Sequence, residues 1–524
     1  MIKRRIILNL LVLIISFLLF YAFLPALNFK NIGFYFYIFI VIILFIIANS
    51  IFTGMNDGES NYKISKYLSK IILILVLIII SGGISSFVLF RAKDYSKIIS
   101  LKEGDFSKDV ERVDFDKIPS VDRDTARRLG LRKMGEVGDL VSQYDIDDTY
   151  SQVNIKGKPV RVSSLKYANI FKWFKNFKQG IPYYISVDMV SQKAELNKLS
   201  KPMKYSLSDK FSRNIYRHLR FTHPTYIYDE VNLEIDDQGK PFWVAPVLKP
   251  KVGLFGGFDS IGVVIVDAST GEVSDYSADE VPEWIDRVYS ADLIIDQLNY
   301  NGKYKNGYIN SKLNQVGVTV PTEGYNYLSL GKDIYLYTGI TSVTADQSNI
   351  GFVLVNMRTK DTKFYPLSSA EEFSVMESAS GTVQEKNYNA TFPILININD
   401  RATYFMSLKD NAGLTKMYAL VDAESYQKVA VGNTIPEAVS RYSKFNNQID
   451  IRNSETVKEE IIISDIKPVV IDGTTNFIIK AEDKEKLYIA PVNISRDLVF
   501  LKTGDSIKVK SVEGRDEINI LSLE

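Results

Sequence analysis

The side chains best suited to nucleophilic or metal chemistry are scarce in this 524-residue chain. It contains no Cys and only two His, which excludes disulfides, zinc ribbons, iron–sulfur clusters and Cys nucleophiles. A Ser-His-Asp triad would need His218 or His223, which lie in the segment HLRFTH. A spacing of five on a helix turns the second ring away from the first, unlike the four-residue spacing of a zinc helix. We therefore expect surface or capping histidines, and we assign no catalytic residue, metal site or cofactor.

Clustered carboxylates are the remaining candidates for acid–base chemistry. The segment DIDD places Asp145, Asp147 and Asp148 close together, but no Gly at the turn and no distal Glu complete a calcium loop. Asp236 and Asp237 precede Gln-Gly, a combination typical of a hairpin turn. An envelope hydrolase would need a facing pair, such as Asp236 with Asp237 or Asp145 with Asp147, about 5 to 10 Å apart across a cleft.

The segment richest in glycine is GLFGGFDSIG, residues 253–262. It lacks the Gly-Lys-Ser/Thr of a P-loop, and it lies between two predicted strands rather than before a helix. We expect either a flexible hairpin loop, in which Ala at positions 256 and 257 leaves folding intact, or a loop that contacts a partner. The partner-contact residues would be Gly253, Phe255, Gly256, Gly257 and Phe258.

The aromatic segment KYANIFKWFKNFK, residues 166–178, predicts an amphipathic helix because its apolar residues recur on one helical face. Such a helix either packs against its own sheet or lies at a membrane surface. In the second case the contact residues would be Phe171, Lys172, Trp173, Phe174 and Lys175.

Three apolar stretches near the N-terminus are long enough to cross a bilayer: Ile6 to Leu27, Ile32 to Phe52 and Ile71 to Phe90. None contains an ionisable residue, which argues against a transporter or a channel. Residues 1–92 are therefore predicted to form a three-helix anchor in contact with the lipid bilayer.

Basic residues predict the orientation of this anchor. Positions 3 to 5 are basic, and Lys63, Lys66 and Lys70 lie between the second and third spans, whereas the loop between the first two carries only Lys30. The positive-inside rule then places the N-terminus in the cytoplasm and the large C-terminal region outside the cell. With 63 Lys+Arg against 62 Asp+Glu, the chain gives no electrostatic reason to expect nucleic-acid binding.

Small residues recur in the third span at the spacing that permits close helix approach, in the pairs Ser81/Ser85 and Gly82/Ser86. They serve either packing among the three helices or a homo-oligomer contact.

Changes in composition and an internal repeat divide the region outside the anchor into several segments. Residues 93–144 predict a charged stalk and a basic helix capped by Asp122 or Asp124. The pattern V-D-A, then P-E-x-[IV]-x-R, occurs in residues 264–287 and again in 419–441, with matching hairpins upstream. We interpret each copy as hairpins followed by a helix that Pro opens. This predicts two α+β repeats, 145–305 and 306–447, a linker, 448–456, and a small barrel of the OB or SH3 type, 457–524.

The strand–turn–strand–helix unit, with Val266-Asp267-Ala268 and Thr270-Gly271-Glu272-Val273, resembles the PepSY family of extracytoplasmic modules. The resemblance extends over four units of 40 to 80 residues and implies binding or inhibitory modules without chemistry of their own. The whole layout also resembles Gram-positive membrane proteins catalogued with the colicin V production family. That family name would describe residues 1–92 at most.

The sequence thus predicts transmembrane helices, tandem PepSY-like α+β domains and a small β-barrel. The favoured function is a non-catalytic binding or assembly protein that recruits an envelope protein or wall polymer. An envelope hydrolase or protease regulator that uses the clustered carboxylates is the alternative. A cytoplasmic-facing scaffold follows if the topology is reversed.

Overall fold

The computed structural model describes residues 2–50, 58–112, 118–343, 348–445, 456–471, 474–482, 484, 486–513 and 517–523. The chain divides into two compact units, Met1–Val439 and Ser440–Glu524. The predicted linker, 448–456, lies outside the described residues except for its last position.

Three N-terminal helices are long and apolar enough to cross a membrane. They are α1 (Ile2–Phe23), α2 (Ile32–Ser50) and α3 (Gly58–Ser85), with candidate spans at Ile6–Phe23, Ile32–Asn49 and Lys66–Ser85. The helix α1 ends before Pro25, since the residue ahead of a proline disfavours helical geometry and Leu24 adopts a positive φ of 49°. The third predicted span is wrong at its end, because residues 88–90 belong to a separate helix.

The segment predicted as a stalk folds against the rest of the first unit. It contains α4 (Val88–Ser96), β1 (Lys102–Glu103), α5 (Phe106–Asp109), α6 (Arg123–Gly135) and α7 (Gly138–Val141). Asp122 caps α6 by accepting the backbone N–H of Thr125 at 2.9 Å, which is one of the two predicted capping choices.

Four predominantly antiparallel sheets follow. The first contains β2 (Tyr144–Ile146), β3 (Ser151–Ile155), β4 (Lys158–Tyr167), β5 (Ile181–Asp188) and β6 (Ala194–Met203). The second contains β7 (Ile227–Tyr228), β8 (Asn232–Ile235), β9 (Pro241–Val252), β10 (Gly256–Asp267) and β11 (Val273–Ser277). The third contains β12 (Thr319–Pro321), β13 (Asn326–Leu330), β14 (Asp333–Ser342), β15 (Ser348–Asn356) and β16 (Thr362–Ala370), and β1 is its sixth strand, parallel to β16. The fourth contains β17 (Asn389–Ala390), β18 (Ile394–Ile398), β19 (Arg401–Lys409), β20 (Thr415–Asp422) and β21 (Val429–Gly432).

Helices precede or connect these sheets. They are α8 (Ile170–Asn176), α9 (Ile215–Thr222), α10 (Ala291–Tyr304), α11 (Tyr308–Lys312), α12 (Glu372–Thr382) and α13 (Ile435–Phe445). The P-E-x-[IV]-x-R motif opens a helix in its second copy, at Pro436, but the prediction is wrong for the first copy. Residues 281–289 form turns, and α10 begins only after Ser290.

The four sheets share one pairing pattern. In each, two short strands pair with different halves of the first long strand, and the second long strand pairs with its other edge. The turn after that second long strand has the same chemistry each time. Asp188, Asp267, Asn356 and Asp422 each accept two backbone N–H groups of the following residues.

The residue that directly follows each of these Asp or Asn residues joins its sheet to the preceding segment. The carbonyl groups of Met189, Ala268, Met357 and Ala423 accept backbone N–H groups from positions 120, 204–205, 288–289 and 370. All four residues are buried. The repeated Asp or Asn therefore has a structural role, which accounts for the V-D-A pattern without any catalytic function.

Two large apolar cores cross these sheets. One joins the first and second sheets with α6, and it includes Leu165, Ile185 and Trp243. The other joins the second and third sheets with α10, and it includes Val263, Leu298 and Leu336. The first three sheets thus share continuous apolar cores.

The C-terminal unit is a small β structure. The strands β22 (Thr456–Ile471), β23 (Thr474–Ala481), β24 (Leu487–Pro491), β25 (Ser506–Glu513) and β26 (Glu517–Leu523) pair as a closed barrel in the order β22-β23-β24-β26-β25. Its core includes Ile463, Ile479 and Tyr488. Likeness to an OB or SH3 barrel stays a prediction.

Candidate functional site

A polar cavity of about 530 Å³ opens on the first unit, between the first and third sheets and the start of α10. We call it the arginine pocket, because Arg161 and Arg287 line it. Its other lining residues include Asp122, Arg123, Tyr150, Asp229, Glu230, Ser290, Asp292, Tyr325, Asn326 and Tyr327.

Arg161 projects from β4 and is 7% exposed, although charged residues are rarely buried without a counterion. Its Nε donates to the carbonyl oxygen of Val121 at 3.0 Å. Its terminal guanidinium nitrogens have no hydrogen-bond partner within the part of the chain that the structure describes. Burial, and next the nearby guanidinium of Arg287, lower the pKa of Arg161 to about 10.

Arg287 is the last residue of the first P-E-x-[IV]-x-R motif. Its guanidinium lies over the ring of Tyr327, 4.6 Å from the centroid, a cation–π geometry. The Nε atom is buried and has no partner among the described residues. The two guanidinium groups therefore raise the positive potential of the same cavity, and neither is paired with a carboxylate through a hydrogen bond within the described chain.

The first turn of α10 adds a third positive element. Ser290 caps the helix by accepting the backbone N–H of Leu293 at 3.2 Å, and its hydroxyl donates to Asp229 Oδ2 at 2.6 Å. A helix of 14 residues carries a partial positive charge at this end. The helix terminus and the two arginines converge on one cavity, which is the arrangement that anion sites use.

The rim of the pocket is aromatic and acidic. Tyr150 Oη is buried without a partner among the described residues, and burial raises the pKa of Tyr150. Burial also raises the pKa of Tyr325 to about 12. Asp122 is already paired with Lys409 at 2.5 Å, and this pairing outweighs burial and lowers the pKa of Asp122. The cavity is thus lined by carboxylate acceptors as well as by guanidinium donors.

A pair of buried carboxylates, Glu234 and Asp286, lies beside Arg287 but does not line the pocket. Glu234 accepts the backbone N–H groups of Asp286 and Arg287, at 2.9 and 3.2 Å. Asp286 Oδ2 accepts the backbone N–H of Asn154 at 2.6 Å. Burial raises the pKa of Glu234 to about 7 and that of Asp286 well above its usual range. We call these two residues the carboxylate pair.

The glycine loop contacts the chain's own apolar helices, and its contact with a partner stays a prediction. The backbone N–H of Phe255 donates to Ser86 Oγ at 2.9 Å, and its ring lies 5.7 Å from that of Tyr35 in an edge-to-face arrangement. A side chain at Gly82 would collide with Leu254 and Phe255. Gly253, Gly256, Gly257 and Phe258 belong to the same hairpin, and the first three have close neighbours.

This packing contradicts the expectation that Ala is tolerated at positions 256 and 257. A Cβ atom at Gly256 would overlap Tyr95 Oη, and one at Gly257 would lie 2.6 Å from Ile98 Cδ1. Of the two small-residue pairs in α3, Gly82/Ser86 receives this hairpin, so that face is occupied within one copy of the chain. A homo-oligomer contact stays a prediction.

The predicted membrane-surface residues lie on a shorter helix than expected. The helix α8 begins at Ile170, because residues 166 and 167 belong to β4. Trp173 is buried and donates to Asp209 Oδ1 at 3.1 Å, whereas Phe171 and Phe174 are 78% and 61% exposed. Lys172 and Lys175 are the neighbouring basic residues of the same helix. The aromatic face is therefore divided between the protein core and the surface.

The other predicted sites are accounted for by local structure. His218 Nε2 lies 2.8 Å from the carbonyl oxygen of Gly271, and His223 Nε2 lies 2.9 Å from Asp275 Oδ2. Asp236 accepts backbone N–H groups of its own hairpin turn. Asp148 pairs with Lys166. Within the described residues no group of three or more His, Cys, Asp or Glu is arranged to hold a metal ion.

Sequence reasoning missed both arginines of the pocket. Arg287 is the Arg of the repeated motif, and the sequence pattern predicts a helix there rather than a pocket. Arg161 carried a signal, since it is a charged residue inside an apolar strand segment, KPVRVSSL.

Comparison with known proteins assigns this chain to no family. No family model and no curated protein matches the chain. Among solved structures, an exo-1,5-alpha-L-arabinanase from a bovine ruminal metagenomic library aligns with 73% of this chain and 100% of its own chain, at 10% identity and a TM-score of 0.14. A score this low carries no argument about fold or activity.

Proposed function

We propose that this chain is a membrane-anchored binding protein, without catalytic activity of its own, that holds an anionic group of a cell-envelope ligand in the arginine pocket. The observation that carries the proposal is the pair of guanidinium groups, Arg161 and Arg287, which line one cavity without a hydrogen-bonded carboxylate among the described residues. Arg161 is 7% exposed, and burying a charge without a carboxylate partner is costly, so an incoming anion would offset part of that cost.

The chemistry of the pocket narrows the ligand class. Guanidinium groups bind carboxylate and phosphate oxygens in a bidentate manner, and the first turn of α10 favours the same charge. The acidic rim, with Asp229 and Asp292, suits a ligand that also carries hydroxyl or ammonium donors. A cavity of about 530 Å³ accommodates a small molecule or the end group of a polymer or peptide.

Contacts between the folded region and the apolar helices support an external location. The carbonyl oxygen of Leu24, at the end of α1, Tyr35 near the start of α2 and Ser86 after α3 all contact residues of the first unit's folded part. These helix ends would face one side of the membrane, and the basic positions near Lys66 and Lys70 would face the other. The positive-inside rule then favours the folded region outside the cell.

The shared pairing pattern of the four sheets supports the further proposal that residues 145–447 are duplicated PepSY-like modules. Duplicated modules multiply contact surfaces more readily than they multiply catalytic centres. Residues of the first and third sheets meet at the arginine pocket. Its two arginines do not occupy equivalent positions in the two proposed repeats.

Binding is tested on the full chain in detergent by isothermal titration calorimetry, with sodium phosphate and with N-acetylglycine at constant ionic strength. We expect saturable binding of at least one anion, and a loss of about tenfold or more in affinity for the double variant R161M/R287M. R132M removes an exposed arginine of α6 and should leave affinity unchanged. Equal affinities of the wild type and the double variant, or no binding of either anion, would contradict the proposed site.

The external location is tested separately with single cysteines, since the chain has none of its own. A membrane-impermeant maleimide on intact cells should label D279C, in an exposed turn, and should not label S60C, near the start of α3. The opposite pattern would place the folded region in the cytoplasm.

A further inference from the structure

Two apolar patches lie beside the points where the candidate spans end. The first consists of exposed Ile170, Phe171 and Phe174 on α8 with Phe211, and the second consists of exposed Ile309, Leu313 and Val316 in and after α11. Exposed side chains of this size usually mark a contact with a membrane or a partner when they cluster.

The first patch is connected to the end of α1 through α9. Phe211 lies four residues before the start of α9 and contacts Trp173, with ring centroids 5.8 Å apart. The helix α9 docks on the last turn of α1, where Arg220 Nε donates to the carbonyl oxygen of Leu24 at 3.0 Å. The ring of Phe221 lies 5.6 Å from that of Phe20, inside the candidate span. The patch therefore lies next to a helix that already reaches the depth of the span.

The second patch is continuous with the end of α3. After Ser85 the chain turns into α4, where Phe90 is 67% exposed, and Tyr95 Oη donates to the carbonyl oxygen of Ser86 at 2.8 Å. A ladder of rings, Tyr95–Tyr300–Tyr304–Tyr308, leads from α4 along α10 to the first residue of α11, with centroids 4.9 to 6.3 Å apart.

We propose that both patches lie in the headgroup layer of the membrane that α1, α2 and α3 span, so that the folded region contacts the bilayer on two sides of its anchor. Lipid is the occupant that a single copy brings to both patches, because each is connected to a different helix end, the first through α9 and the second through α4 and α10. Lysines flank them, Lys172, Lys175 and Lys210 at the first and Lys305 and Lys312 at the second. Such lysines suit anionic headgroups at an interface, where aromatic side chains are also favoured.

The test uses the full chain with a single cysteine at Phe171 or Ile309, labelled with the fluorophore NBD. The protein is reconstituted into vesicles that contain anionic lipid, with or without a nitroxide lipid labelled near the headgroup. Both substitutions replace exposed side chains, so the fold should persist. F373C and Y426C, which replace exposed aromatic residues outside the two patches, are the matched controls.

We expect NBD at positions 171 and 309 to lose about half of its fluorescence to the nitroxide lipid and to resist aqueous iodide, as for side chains buried in the interface. The controls should show the reverse. Iodide quenching without lipid quenching at 171 and 309 would overturn the proposal, because the patches would face water. Protection from both quenchers would also overturn it, because protein and not lipid would cover them.

Discussion

The carboxylate pair and the arginine pocket are two charged regions that meet at Arg287, and they differ in how their charges are satisfied. Glu234 and Asp286 accept three backbone N–H groups between them. Arg161 has a hydrogen bond to one carbonyl group, and the guanidinium of Arg287 has none among the described residues. The carboxylates of the pair are thus hydrogen-bonded within the fold, whereas the arginine pocket contains guanidinium donors that have no acceptor among the described residues.

This difference indicates how a buried charge at a ligand site can be told from a buried charge that serves the structure. Polar groups in a protein interior are nearly always hydrogen-bonded, and unsatisfied ones carry a free-energy cost. A raised pKa alone does not distinguish the two regions, because the carboxylate pair has strongly perturbed pKa values and serves the structure. The two regions differ instead in hydrogen bonding. Only the arginine pocket has guanidinium donors that lie beside an open cavity without an acceptor among the described residues.

The largest expected effect on stability follows from removing Glu234, which accepts two backbone N–H groups. The variant E234A leaves the backbone N–H groups of Asp286 and Arg287 buried without partners, so we expect the free energy of unfolding to fall by about 3 kcal/mol. Chemical denaturation of the full chain in detergent, followed by Trp fluorescence, measures the change. The variant E234Q keeps one acceptor and should lose less. An E234A protein as stable as wild type would show that the pair is not structural.

The next effect is on the pH dependence of stability. Burial raises the pKa of Glu234 from 4.5 to about 7, so the folded state binds this proton more tightly than the unfolded state. The contribution to stability is fully present below pH 4.5 and is lost as the pH rises through about 7. Unfolding curves between pH 4.5 and 7.5 should show this decline, and E234Q should flatten it. A slope that E234Q leaves unchanged would assign it to another group.

A smaller effect on stability is expected from a substitution in the arginine pocket. Replacing Arg287 by Met removes a cation–π contact with Tyr327 and a charge near the carboxylate pair, but no side-chain hydrogen bond among the described residues, so the free energy of unfolding should change by less than about 1 kcal/mol. Affinity for the anion should fall in the same variant. If R287M unfolds the protein as E234A does, the contrast between the two regions fails.

The smallest effect concerns the rim. In K409M the carboxylate of Asp122 loses its ion pair, and its pKa should rise because burial is no longer outweighed. An uncompensated Asp122 lies near Arg161 and should compete with an incoming anion, which lowers affinity by about twofold to threefold. NMR titration of the Asp122 carboxyl and calorimetry measure the two changes. An unchanged affinity would place Asp122 outside the influence of the pocket.

Much of the framework could be predicted from the sequence because local physics determines it. The apolar spans follow from hydropathy, the cap of α6 from Asp122, and the hairpins from Asp and Gly turns such as Asp236. Where local and tertiary preferences compete, prediction fails. Pro282 and Glu283 carry the signature of a helix start, yet Arg287 and the carboxylate pair hold that segment in turns.

The candidate site could not be predicted, because its parts lie far apart in the chain. Arg161, Arg287 and Tyr327 belong to three regions that only the packing of the sheets brings together. The glycine loop shows the same limit. Its composition indicated a free loop, but its tip packs against α3, and only the tertiary structure shows why Gly82 and Gly256 must be small.

The contact between α9 and the end of α1 also has a consequence for the order of synthesis. Arg220 lies 196 residues after its acceptor at Leu24. At about 5 to 20 residues per second, the end of α1 would wait roughly 10 to 40 s for that partner to emerge. During this time α1 lacks its contact with α9, and α2 is the neighbouring helix that is already made.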